Sequence, residues 1–319
     1  MAPAMAKSGT TNAALTQGGL NRQTRGMLSV AAGVSVFSVQ DAIVKGLSGV
    51  YPVHEIVVVR SFIALPILLL AALAEERGRL RIHRPGLHLL RGVFLFVSYT
   101  TYYLALAHLP IAETVALYFS SPFFVAALSL PLLGERVGMR SWIAITIGFL
   151  GVVLIVQPDT SLFDPTVLLP VFSALAYAIS ALLTRRLGTT ESSGAMALTA
   201  TLLYVVAGGL TALALSHVEV AGDAHSSLRF LLNPWRWPDL VDAGLLAACG
   251  LIAAFGFFSL SQGYRLAETN RAAPFEYAAL PWGILWGYWF FGNFPNLATL
   301  AGAVVIVGAG LYTLQRRPA

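Results

Sequence analysis

The chain has 319 residues, of which 57% are hydrophobic and only 11% charged, with a mean hydropathy of +0.73. A soluble globular domain carries about 25% charged residues, so a water-facing surface is excluded for most of the molecule and lipid is the expected solvent. The net charge of +5 points to a nucleic acid or to a membrane surface only once its basic residues are placed along the chain.

Residues 1–25 are polar and irregular and read as a disordered tail. No signal peptide precedes the first apolar run, which is too long for an h-region. About 20 apolar residues cross a bilayer core as a helix. That measure predicts ten spans, near 26–47, 55–74, 86–107, 112–133, 141–157, 166–185, 194–215, 240–263, 270–291 and 297–315. The runs are continuous rather than alternating, which excludes a strand-built barrel.

Lys and Arg set the orientation. With the N-terminus inside, the inner segments collect Lys7, Arg22, Arg25, Arg77, Arg79, Arg81, Arg84, Arg91, Arg136, Arg140, Arg185, Arg186, Arg265, Arg271, Arg316 and Arg317, sixteen against Arg229 and Arg236 outside. The basic charge is therefore a topology signal, and no nucleic-acid partner is expected. Both termini are placed in the cytoplasm of a bacterial inner membrane. The outer loop 216–239 carries Phe230, Leu231, Leu232, Trp235 and Trp237; it reads as an interfacial amphipathic segment or a plain ordered loop.

An internal repeat is visible at an offset of half the chain. Tyr118-Phe-Ser-Ser-Pro122 corresponds to Tyr277-Ala-Ala-Leu-Pro281, Leu133-Gly134-Glu135 to Phe291-Gly292-Asn293, and Ala112-Glu113-Thr114 to Asn270-Arg271-Ala272. Two five-span repeats are predicted, 26–157 and 166–315, joined by an outer loop 158–165 and followed by a short tail, 316–319. An odd number of spans per half puts the halves in opposite orientations, an arrangement common in secondary transporters.

With ten spans in two halves, Arg60 early in the second span, and Pro122 followed by Gly134-Glu135, the chain resembles the EamA family of the drug/metabolite transporter superfamily. In layout it is most similar to amino-acid exporters of the YddG type. The resemblance covers nearly everything past residue 26. It implies an all-α polytopic fold and small-solute export by alternating access. The second half departs from the family pattern, since Gly292 is followed by Asn293 rather than by an acid.

Ionisable residues at membrane depth are costly and default to functional readings. Asp41 and Lys45 share a helix face and can pair. Arg60 either snorkels outward or meets Asp41. Glu135, beside Arg136, reads as a packing or gate residue. Glu276 lies between Pro274 and Pro281, where a bent helix lines a cavity; it either meets a substrate ammonium or a proton there, or pairs with Arg271. The candidate substrate-binding or gating residues are Gln40, Asp41, Tyr99, Tyr103, Tyr118, Ser121, Tyr177, Ser180, Phe257, Ser261, Gln262, Glu276, Tyr277 and Trp282. An interior of hydroxyls and rings suits an amphiphilic zwitterion. Spans 3, 4, 6, 8 and 9 have no Lys or Arg near mid-membrane, which argues against phosphorylated substrates.

Other chemistries find little footing. No GxxxxGK[ST] loop is present, so no P-loop ATP hydrolysis is expected. Cys249 is the one cysteine, and the six histidines show no metal-binding spacing, so neither cofactor nor metal is expected. An intramembrane enzyme lacks a nucleophile–base set, and a scaffold would leave the repeat without a purpose. The expected partners are a small-molecule substrate and the bilayer. A multidrug exporter shares the fold and is the nearest alternative. Ten spans can enclose a cavity within a monomer, and a homodimer stays open.

Overall fold

Proline and glycine punctuation divides the apolar runs into helices. A computed structural model describes residues 21–78, 80, 82–134, 138–156, 164–218, 224–268 and 272–314. Glu135, Arg136, Asn270 and Arg271 lie outside these, as do Lys7, Arg79, Arg81, Arg316, Arg317 and nearly all of the predicted 158–165 loop.

Among the described residues there are twelve α-helices and two 3₁₀ segments. They are α1 (Arg22–Leu47), α2 (Val53–Glu75), α3 (Pro85–Leu106), α4 (Ile111–Tyr118), α5 (Ser121–Leu133) and α6 (Met139–Val156). A 3₁₀ turn (Pro165–Val167) leads into α7 (Leu168–Leu187), α8 (Ser193–Leu215), α9 (Ser226–Leu232) and α10 (Leu240–Leu266). The second 3₁₀ segment (Ala273–Ala278) leads into α11 (Ala279–Phe291) and α12 (Leu297–Leu314).

Seven of these runs, counting Ile111–Leu133 as one, are long and apolar enough to cross a membrane, and shorter apolar helices occupy Trp142–Val156 and Leu297–Ala309. Their outward faces carry Phe62, Leu70, Leu210 and Leu251. A helix that is apolar on its outer side as well as its inner one has lipid, not water, as its neighbour. The chain is thus an all-helical polytopic membrane protein.

The run 111–133 breaks at Phe119–Ser120, between α4 and α5. Pro122 has no N–H for the Tyr118 carbonyl, so the ladder fails there. Pro281 stands in the same relation to Tyr277, where the second 3₁₀ segment gives way to α11. The ends of α5 and α11 also match. Gly134 (φ 72°) and Gly292 (φ 66°) take the left-handed conformation that closes a helix most readily with glycine. Two of the predicted motif pairs thus mark like local structures, while the third, Ala112-Glu113-Thr114 with Asn270-Arg271-Ala272, lies in part outside the described residues.

Neighbours in space are distant in sequence. α1 lies along α10, α3 along α7, α2 along α8 and α6 along α12, while α5 packs on α7, and α11 with its 3₁₀ segment packs on α1. Glu191 is buried and accepts the backbone N–H groups of His83 (2.8 Å) and Arg84 (3.2 Å), fixing the entry to α3. Phe230 of α9 is fully buried and Trp235 stacks on His54 with ring centroids 6.1 Å apart. The segment therefore caps the bundle in part, and of the residues named from sequence Trp235 and Trp237 stay exposed.

Small residues let α2 and α8 touch. A Cβ on Gly194 would stand 2.6 Å from Ala72 Cα and 2.7 Å from Ala72 N, and backbone cannot swing aside. Gly194→Leu is expected to cost about 3 kcal/mol through overpacking and to lower the thermal midpoint in detergent. Gly209→Leu, with nothing within 4 Å, should leave it unchanged; equal effects would remove the close-approach argument.

Candidate substrate chamber

A cavity of about 140 Å³ opens among α1, α3, α7 and α10, with α4, α8 and the second 3₁₀ segment completing its wall. On α3, residues Arg91, Leu95, Ser98 and Tyr102 line it, a spacing that puts all four on one helix face. Tyr177, Ser180, Ala181 and Thr184 do the same on α7, and Phe257, Leu260, Ser261 and Tyr264 on α10.

Two buried carboxylates belong to this wall, each held by hydroxyl donors. Asp41 accepts from Tyr102 at 2.9 Å and from Tyr103 at 2.7 Å. Glu276 accepts from Tyr177 at 2.7 Å, from Ser121 at 3.3 Å and closely from Tyr264. In a low-dielectric interior such charge-assisted bonds are short and strong.

Two buried cations accompany them. Arg91 donates to Thr184 Oγ1 (2.6 Å), the Met196 carbonyl (2.8 Å) and Ser261 Oγ (3.4 Å). Ser261 lies one turn of α10 before Tyr264, the partner of Glu276, so the guanidinium and this carboxylate belong to the same part of the chamber. Arg60 is fully buried, its guanidinium 4.1 Å from the Tyr99 ring centroid, 5.3 Å from Tyr204 and 5.5 Å from Phe257. It donates to Gln40 Oε1 at 3.1 Å, Gln40 donates to Tyr103 Oη at 2.8 Å, and Tyr103 donates to Asp41. A relay of neutral groups thus joins Arg60 to Asp41.

Of the residues singled out from sequence, Gln40, Asp41, Tyr99, Tyr103, Tyr118, Tyr177, Ser180, Phe257, Ser261 and Glu276 line the chamber. Four do not. Ser121 stands behind Glu276 as its donor. Gln262, adjacent to Ser261 and so rotated off its face, accepts from Ser29 of α1 at 3.0 Å. Tyr277 packs edge-on against Phe119, with centroids 5.0 Å apart. Trp282 is 38% exposed and stacks on Trp286.

Two expectations about charges are corrected. Lys45 does not pair with Asp41: its Nζ donates to the carbonyls of Leu106 (2.7 Å) and Leu109 (2.8 Å). The unpaired carbonyls at a helix C-terminus attract a cation, while the tyrosines satisfy Asp41. Arg91 is not a surface charge at the foot of its span, because it is 4% exposed and reaches the chamber. Thr184, Tyr204 and Tyr264 also line the wall unpredicted. The turn-by-turn spacing of 91, 95, 98 and 102 was the signal that could have found Arg91.

A largely apolar chamber that carries buried charges and is enclosed by membrane-length helices is the working part of a membrane transporter. The profile of the EamA-like transporter family matches residues 24–157. The chain is 30% identical over 246 residues to the riboflavin transporter of Rhizobium johnstonii, covering 75% of this chain and 76% of that protein. It is 25% identical over 277 residues to the S-adenosylmethionine uptake transporter of Rickettsia prowazekii, covering 87% and 88%, and 28% identical over 299 residues to the pseudopaline exporter CntI of Pseudomonas aeruginosa, covering 89% and 94%. A solved crystal structure shares the fold with a TM-score of 0.64 at 19% identity, over 91% of this chain and 96% of that one. The chain belongs to the EamA-like transporter family, within the drug/metabolite transporter superfamily. Its relatives carry the names of transporters, not enzymes.

Proposed function

We propose that the protein is a secondary transporter of small metabolites with an α-amino-acid head, working by alternating access of two inverted five-helix halves. Ten crossings result when α6, α12, and α11 with its 3₁₀ segment cross beside the seven long runs. The packing supports inversion, because the neighbours exchange in pairs: α1 on α10 is matched by α7 on α3, and α2 on α8 and α6 on α12 map onto themselves. The excess of Lys and Arg at one end supports cytoplasmic termini.

The observation that carries the substrate class is the chamber's charge pattern. Arg91 and Glu276 meet through neighbouring residues of one helix face and suit the carboxylate and ammonium of one amino-acid head. Rings of Tyr99, Tyr118, Tyr204 and Phe257 offer an apolar wall for its side chain. A dry cavity of about 150 Å³ takes a benzene-sized ligand, so aromatic and hydrophobic amino acids come first. Asp41 remains for a second positive centre. S-Adenosylmethionine, named for several relatives, has an amino-acid head and a sulfonium, and becomes a substrate if the chamber widens. The relatives' names cover both uptake and export; for this chain we take efflux down the prevailing gradients as the working direction.

Proteoliposomes containing only this protein should take up labelled phenylalanine saturably, with S-adenosylmethionine competing. Arg91→Met should raise KM at least about tenfold, the loss of one charged hydrogen bond. Competition by riboflavin or cationic dyes, with none by amino acids, would overturn this substrate class.

A further inference from the structure

At the end of the bundle where α1, α3 and α8 finish, three loops bring His108, Asp164 and His225 together. One ligand atom from each lies within 4.8 Å of the others. We propose that these residues form a transition-metal site, with Zn²⁺ as its ion, that clamps this end of the transporter.

Two of the three donors are fixed from behind. His108 Nε2 is 2.7 Å from Asp164 Oδ2, and its other nitrogen, Nδ1, is 2.9 Å from Ser226 Oγ, the outer partner that orients a ligating imidazole. Asp164 spends Oδ1 on the Thr166 backbone N–H at 2.8 Å, which leaves Oδ2 directed at the histidine. The His225 ring lies 4.2 Å, centroid to centroid, from that of His108. Its Nδ1 accepts the Ser227 N–H at 3.3 Å, so that lone pair is engaged and a metal bound there would have to displace the amide. Glu113, at the start of α4, is within electrostatic reach of both Asp164 and His108 and supplies further negative charge.

Two imidazoles and a carboxylate suit Zn²⁺ and its neighbours, whereas Ca²⁺ and Mg²⁺ call for oxygen ligands. The three protein donors leave the fourth tetrahedral position for water. Closure requires the 2.7 Å contact to widen by about half an ångström around bonds of about 2.0 Å. The three loops are the α3–α4 corner, the connection before α7, and the segment ahead of α9. One ion bridging them joins both halves of the chain, so its occupancy holds this end shut. The clamp, though not the binding, rests on the transport reading above.

Binding is read on full-length protein in detergent, carrying no His-tag, by competition for Zn²⁺ against a chromogenic chelator. One equivalent per chain is expected, lost at least about tenfold in affinity in the double variant His108→Ala, His225→Ala, with Mg²⁺ and Ca²⁺ failing to compete. Equal affinity in wild type and variant, or equal competition by Mg²⁺, overturns the site. A thermal shift without added metal confirms that the variant is folded. Zn²⁺ should slow uptake by wild-type proteoliposomes and leave the variant untouched; binding without slowing overturns the clamp and leaves the site standing.

Discussion

Glu276→Gln should lower transport at least about tenfold while leaving the protein folded and inserted. The substitution keeps the side chain's shape and removes its charge. Tyr177, Tyr264 and Ser121 all present hydroxyls to this carboxylate. One amide oxygen can still accept from some of them, and the hydroxyl protons can turn to meet the amide nitrogen. The fold therefore tolerates the change. A substrate ammonium does not, because it exchanges a full negative charge for a dipole. A hydrogen bond to a charged group contributes about 1.5–3 kcal/mol, which corresponds to roughly 10- to 100-fold in affinity. Initial uptake rates over a range of substrate concentration separate the two consequences. The expected signature is a raised KM with an unchanged melting midpoint. Ser121→Ala, which removes a single 3.3 Å donor, should have a much smaller effect. Unaltered kinetics in Glu276→Gln would remove this carboxylate from the binding site.

Arg60→Leu should act on the fold. The guanidinium is fully buried between the rings of Tyr99, Tyr204 and Phe257 and anchors Gln40. A desolvated cation over an aromatic face contributes about 2 kcal/mol. Removing one side of a buried charged network costs about 3–5 kcal/mol. For a chain of this size that is a fall of on the order of 10 °C in thermal midpoint, read from unfolding in detergent. The loss also frees Gln40, and with it the orientation of Tyr103 toward Asp41. Arg60→Lys keeps the charge but not the planar fork, and should recover only part of the midpoint. A midpoint for Arg60→Leu within about 2 °C of wild type would mean that the ring cluster stands without its cation.

Seven of the expected spans were legible because lipid demands long apolar runs, and such runs look alike whatever their tertiary neighbours. The bend ahead of Pro281 was legible too, since proline acts on the carbonyl four residues back, whereas the equivalent break before Pro122 was not anticipated in a fourth span read as continuous. Partners were less so. Asp41 and Lys45 are four apart and were read as a pair, yet each found better chemistry on α3: tyrosine hydroxyls for one, terminal carbonyls for the other. Charge counting filed Arg91 with the cytoplasmic residues, since a sum over loops does not register which face of α3 it occupies. Trp282 and Tyr277 were chosen for their type, and type does not fix rotation about a helix axis. His108, Asp164 and His225 come from three separate loops, so no spacing along the chain relates them.

The Lys45 contact has a mechanical meaning. Its ammonium grips the carbonyl of Leu106, the last residue of α3, and that of Leu109 in the corner beyond it, so α1 and α3 are leashed together at one end. Prying them apart there would strand a cation and two oxygens in an apolar setting. In the proposed alternating access, this contact would make α1 and α3 travel together at that end.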